Sequence, residues 1–135
     1  MRTDTQTIPL DGDRDHIFRF IADAENLPRW AVGFCRSIVR DGAGWIVRTT
    51  EGEVGLRMTT DVESGVIDFH LIPAPGVEVT AFARVVPAPG GALFAFTQVQ
   101  SPGMPDEVFA AQVTALGEEL EVLRHVVRAQ AACRA

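Results

Sequence analysis

The hydrophobic pattern changes period several times along the chain. Residues 3–10 alternate as a short strand does, and Pro9 marks a sheet edge or the strand's end. Asp11, Gly12 and Asp13 then punctuate, and either aspartate suits the cap of a helix running to Ala22, with Asp15 favourable to its dipole. Ile17, Phe20, Ile21 and Ala24 share one face of that helix. A second, short helical stretch over 24–30 is interrupted by Pro28.

From 34 to 100 the period is that of strands, broken at regular intervals by Gly and Pro at 41–44, 51–52, 64–65, 73–76 and 87–91. This spacing predicts strands near 34–40, 44–50, 53–61, 66–72, 77–86 and 92–100, joined by hairpin-length turns and therefore antiparallel. Beyond Pro105, Phe109, Val113, Leu116, Leu120, Leu123 and Val127 step by four and three, the stripe of one long helix. Glu118, Glu121, His125 and Arg128 lie on its wet face. One strand, two short helices, six strands and a long helix make an α+β layout in which a curved seven-stranded antiparallel sheet wraps the C-terminal helix. No linker or internal repeat divides it, so residues 1–135 are expected to form one domain.

Local phrases carry a resemblance across nearly the whole chain. Ile17, Phe18, Arg19, Phe20 and Ile21 run into Ala24, Glu25, Asn26, Leu27, Pro28, Arg29 and Trp30. The turn at 87–91 precedes Ala92, Leu93, Phe94, Ala95, Phe96 and Thr97, and Pro102, Gly103, Met104 and Pro105 open the last helix. In these phrases and in element order the chain resembles the START-like superfamily, also called the helix-grip or SRPBCC fold, and within it a bacterial subgroup of small polyketide-cyclase-like proteins. The resemblance implies a cavity between sheet and long helix. It does not imply one reaction, because members bind, carry or transform different apolar ligands.

Composition narrows the chemistry. All 12 basic residues are Arg and Tyr is absent, which excludes Schiff-base catalysis by Lys, a Gly-Lys-Ser/Thr phosphate loop and a Tyr general acid. With 47% hydrophobic and 22% charged residues, the chain can build a sizeable core. A net charge of −6 without an Arg cluster argues against nucleic acid as a partner. Cys35 and Cys133 read as free thiols of a reducing compartment. The start of the chain has no secretory pattern, and no stretch approaches the roughly 20 apolar residues of a membrane span. A cytoplasmic location without stable membrane insertion is expected.

Strand parity selects the candidate site. An even register between 66–72 and 77–86 puts Asp68, His70, Glu78, Phe82 and Arg84 on one face, with Ile67, Phe69, Leu71, Val79, Ala81 and Ala83 on the other. Carried across the 87–91 turn in the same way, Phe94, Phe96 and Gln98 join the first face. Three Phe with two acids, a His, an Arg and a Gln suit a wall that orients a polar-headed apolar ligand. The competing reading makes Asp68 and Arg84 a surface pair and His70 a solvated side chain, since one face of an antiparallel sheet meets water, and a bulge could exchange faces. Trp30, Phe34, Phe109, Val113 and Leu116 are further cavity-lining candidates, each of which packing alone would also explain. Arg36 shares the parity of Phe34, and Gly117 in mid-helix admits close approach of a ligand or strand.

Other chemistry finds little support. Glu121 and His125 have metal-ligand spacing but lack further ligands, so no metal or other cofactor is expected. Ser37, Ser64 and Ser101 lack a nucleophile-elbow setting. Two functions follow: binding or carriage of an apolar small molecule such as a lipid, polyketide or aromatic compound, or a cyclase, aromatase or dehydratase. The second would use His70 or Asp68 for proton transfer and Arg84 to orient an enolate or carbonyl oxygen. A homodimer is plausible if the late strands expose an apolar outer face.

Overall fold

The computed structural model describes residues 1–134. Strand β1 (Thr3–Asp11) leads into helix α1 (Arg14–Ala22), a 3₁₀ turn (Ala24–Asn26) and the short helix α2 (Leu27–Trp30). Six strands follow: β2 (Ser37–Asp41), β3 (Gly44–Thr49), β4 (Gly52–Asp61), β5 (Val66–Ala74), β6 (Val77–Ala88) and β7 (Gly91–Val99). Helix α3 (Asp106–Arg134) ends the described chain. All seven strands form one antiparallel sheet in the order β1-β7-β6-β5-β4-β3-β2, which is the α+β helix-grip layout expected from the sequence.

Local chemistry sets the element ends. The Asp13 carboxylate accepts the His16 N–H at 3.0 Å and so caps α1, while Asp23 accepts the Glu25 N–H at the 3₁₀ turn. Short apolar residues at every second sheet position then meet α3. Ile8, Leu10, Val47, Leu56, Ile67, Phe69, Ala83, Val85 and Phe94 form one core with Leu116, Leu120, Leu123 and Val127 of the helix. Gly117 lies where β1 passes beneath α3: a Cβ there would come within 3.2 Å of Gln6 Oε1. The Gln6 amide nitrogen donates to the Val113 carbonyl at 2.8 Å and to Asp4 at 2.9 Å, tying the strand to the helix. The mid-helix glycine thus serves strand packing. No helix among the described residues is long and apolar enough to cross a membrane.

Two differences from the sequence expectation bear on the site. The first strand of the large meander begins at Ser37 rather than at 34, because the backbone of 31–35 closes a turn after α2: the Phe34 and Cys35 N–H groups both donate to the Ala31 carbonyl. Phe34 therefore belongs to a turn, and the parity it was expected to share with Arg36 has no meaning there. Arg36 is exposed.

The second difference changes the site. Within the even register expected for β5 and β6, Asp68 lies opposite Phe82 and Val66 opposite Arg84. The β6–β7 hairpin, however, turns on two residues, Pro89 and Gly90, so that Ala88 pairs with Gly91 and Ala83 with Phe96. Gly90 has φ +79°, the left-handed conformation that the second corner of such a turn requires after Pro. A loop centred on one residue would have kept the parity; one of two residues reverses it. Phe94, Phe96 and Gln98 consequently share the inner face with Ile67, Phe69, Ala81 and Ala83, and part from Asp68, His70, Phe82 and Arg84.

Candidate functional site

The inner face of the sheet does not close completely on α3. A cavity of about 440 Å³ remains toward the start of the helix. Its walls come from α2 and the turn after it (Trp30, Phe34), from the middle strands (Leu56, Phe69, Leu71, Val79, Phe96, Gln98), and from α3 (Gln112, Ala115, Leu116, Glu119). Met104, in the loop before α3, lies at its rim with Thr50 and Glu51 of the β3–β4 turn. The aromatic rings interlock behind the wall: Phe69 and Phe96 stand 5.7 Å apart, Phe94 and Phe96 6.1 Å, and Trp30 meets Phe94 nearly perpendicularly at 6.2 Å.

Among the polar residues that line this cavity Glu119 is the buried one, only 8% exposed. Its Oε2 accepts the backbone N–H groups of Gly33 and Phe34, each at 3.1 Å, so the carboxylate joins α3 to the turn after α2. Oε1 has no hydrogen bond among the described residues and is accessible from the cavity. Burial pushes the Glu119 carboxyl above the usual carboxylate range. The Phe34 and Gly33 N–H groups oppose the shift, and the neighbouring Glu118 charge adds to it. Cys35 lies buried nearby, its thiol pushed up to about 11 by burial and then by the Glu119 charge; it is not a ready nucleophile.

A carboxyl so held has a defined chemistry. When ionised, it offers Oε1 as an acceptor to whatever occupies the cavity. When neutral, the backbone donors keep Oε2 as the carbonyl oxygen, and the proton sits on Oε1, facing the cavity as a donor.

The sequence candidates divide. Trp30, Phe34, Phe96, Gln98 and Leu116 lie in the cavity wall. Phe94 is on the inner face but fully buried in the core behind the wall, where its ring fills the contact with Trp30. Phe109 is buried at the start of α3 away from the cavity, and Val113 turns its carbonyl toward Gln6; neither lines the void. Phe82 is on the outer face and 50% exposed.

The proposed catalytic group is corrected in the same way. Asp68, His70 and Arg84 all lie on the outer face, as the register with β4 and β6 requires, so they cannot act on a ligand in the cavity. His70 hydrogen-bonds Thr59 at 2.8 Å through Nε2 and Thr80 at 3.0 Å through Nδ1, and Glu78, 3.7 Å away, pairs with Arg57. Arg84 donates from Nε to the Ser64 carbonyl. These side chains complete one another across strands. Glu121 likewise pairs with Arg124, at 2.6 Å.

Glu119 was not among the residues singled out. The available signal was its spacing: three residues after Leu116 and four before Leu123, it falls inside the apolar stripe.

No family model and no curated protein matches the sequence. Solved structures do match in fold. A di-domain ARO/CYC, BexL from the BE-7585A biosynthetic pathway, superposes with TM-score 0.73 at 21% identity over 93% of this chain and 46% of that one. The Aha1 dimer from Colwellia psychrerythraea gives 0.73 at 13% identity over 94% and 96%. Ara h 8.0201 gives 0.66 at 14% over 95% and 98%. At such identities the likeness is one of architecture, and the chain has the helix-grip fold.

Proposed function

We propose that this protein binds an apolar small molecule in the cavity between sheet and α3. The observation that supports this most directly is the void itself. At about 440 Å³ it falls within the range of roughly 300–1,000 Å³ typical of small-molecule sites, and its wall is mainly aromatic and aliphatic, with Gln98, Gln112 and Glu119 among the polar groups. Glu119 is the polar anchor that would orient the ligand. An aromatase or cyclase role, suggested by the name of the BexL neighbour, would have to draw its proton-transfer group from Glu119 Oε1 rather than from His70. The proposed location is the cytoplasm, where Cys35 and Cys133 would stay reduced.

The test is saturable uptake of an apolar fluorescent probe together with native mass spectrometry of the purified protein. Leu116→Trp, which places a larger side chain in the wall, is expected to weaken uptake at least about tenfold while the far-ultraviolet dichroism is retained. Absence of both saturable uptake and a co-purified ligand in the native protein would overturn the reading.

A further inference from the structure

The cavity carries charge of one sign only. The ionisable side chains in its wall are Glu119, deep in the void, and Glu51 at its rim; no Arg or His lines it. Glu119 is nine-tenths buried, and no cation pairs with it among the described residues. Its two backbone donors occupy Oε2 and leave Oε1 as an acceptor aimed at the void. Aromatic side chains from three elements, Trp30, Phe34, Phe69 and Phe96, stand in the same wall.

We propose that the ligand of this cavity is an apolar amine, whose ammonium group pairs with Glu119 Oε1 and whose hydrocarbon or aromatic body occupies the aromatic wall. The inference rests on the small-molecule reading above and adds the chemical class. A buried carboxylate without a counter-ion is costly, and a ligand ammonium supplies the missing charge. The resulting hydrogen bond is charge-assisted at both ends. Aromatic faces add attraction for a cation, which aliphatic walls would not. An apolar carboxylate of equal size meets the opposite situation: it brings a second negative charge beside Glu119, with no basic group to receive it. Burial raises the Glu119 carboxyl in the free protein, and a bound ammonium would draw it back toward the ionised form. The titratable groups around it, Glu118 on α3 and Cys35 from the turn after α2, offer no positive charge to compete.

Decylamine, decanol and decanoate share one chain length and differ only in the head group, so displacement of a neutral probe by each separates the contributions. Near neutral pH, decylamine is expected to bind about tenfold more tightly than decanol, and decanoate at least tenfold more weakly than decanol. Glu119→Gln should abolish the preference for amine over alcohol, read as the ratio of the two affinities within the variant. Glu119→Asp, which keeps the charge, should retain part of that preference and serves if the Gln variant does not fold. Decanol binding without a preference for the amine, or decanoate binding best, would overturn the amine assignment and leave the cavity reading standing. An amine preference that survives in Glu119→Gln would also overturn it, by placing the ammonium elsewhere. If none of the three displaces a probe that is itself taken up saturably, the amine assignment falls and the cavity reading stands; if the probe is not taken up at all, both fall.

Discussion

The two faces of strands β5 to β7 carry similar side-chain types and do different work. The inner face presents Phe69, Phe94, Phe96 and Gln98 to α3; the outer carries Asp68, His70, Phe82 and Arg84. Each mixes aromatic and polar groups, so composition does not distinguish them. Satisfaction of the polar groups does. On the outer face the His70 nitrogens are both taken by threonine hydroxyls, and Arg57 pairs with Glu78. Opposite the inner face, Glu119 has one oxygen fully engaged by the backbone and the other open to a void. A polar row completed by its own neighbours has little left to offer a ligand, whereas a half-satisfied buried group has a binding valence to spare.

The most severe way to break this contrast is to exchange equivalent losses between the faces. Phe94 is fully buried, with edge contacts to Trp30 and Phe96, so Phe94→Ala should cost about 3–5 kcal/mol in urea unfolding. Phe82→Ala, removing the same ring from a half-exposed outer position, should cost about 1 kcal/mol or less. Similar losses from the two substitutions would contradict the assignment of faces.

That assignment is where sequence reasoning met its limit. Element order and nearly all strand positions were legible because Gly and Pro punctuate a clear change from alternating to helical periodicity, and the hairpin turns at 75–76 and 89–90 hold Pro followed by Gly as expected. The register between Asp68 and Phe82 was legible too. The face of Phe94 and Phe96 was not, because the Pro-Ala-Pro-Gly-Gly run at 87–91 is compatible with loops of two or three residues, and one residue of difference reverses every side chain beyond it. Trp30, Phe34 and Leu116 were found in the wall from aromatic content and helical phase. Glu119 was hidden for a different reason: an acid between Glu118 and Glu121 reads as part of the wet face unless its phase against Leu116 and Leu123 is counted separately.

Glu119 gives a test of intermediate size whose sign follows from burial. Its carboxyl titrates higher in the folded chain than in the unfolded one, so the folded state holds the proton more tightly. Stability referred to this group is therefore greatest below its unfolded pKa and declines as pH rises through the folded one, where the charge must be carried in a buried site. Glu119→Gln keeps an oxygen for the Gly33 and Phe34 N–H groups and removes the charge. The variant is expected to melt higher than the native protein at neutral pH, with the difference shrinking toward zero below the ordinary glutamate value of 4.5. Melting curves of both proteins across that interval check it; a gap that widens on acidification would mean that the carboxylate is stabilised, not penalised, by its surroundings. Replacement by Leu should instead lose about 1–3 kcal/mol relative to Gln, because two backbone donors lose their acceptor.

The smallest effect expected is also the most direct check on the contrast between the faces. Both ring nitrogens of His70 are hydrogen-bonded across the sheet, the kind of arrangement that invites assignment to an active site. Its partners, however, are hydroxyls on neighbouring strands that can turn to water once the imidazole is gone, so His70→Ala should cost about 1 kcal/mol or less. Probe affinity should change by less than about twofold, since the side chain is separated from the cavity by the thickness of the sheet. Isothermal titration of the same ligand into the native, His70→Ala and Glu119→Gln proteins compares the two faces in one experiment. A larger loss of affinity at His70 than at Glu119 would move the functional site to the outer face and reverse the contrast, because a fully partnered surface histidine would then matter more to the ligand than the open carboxyl in the void.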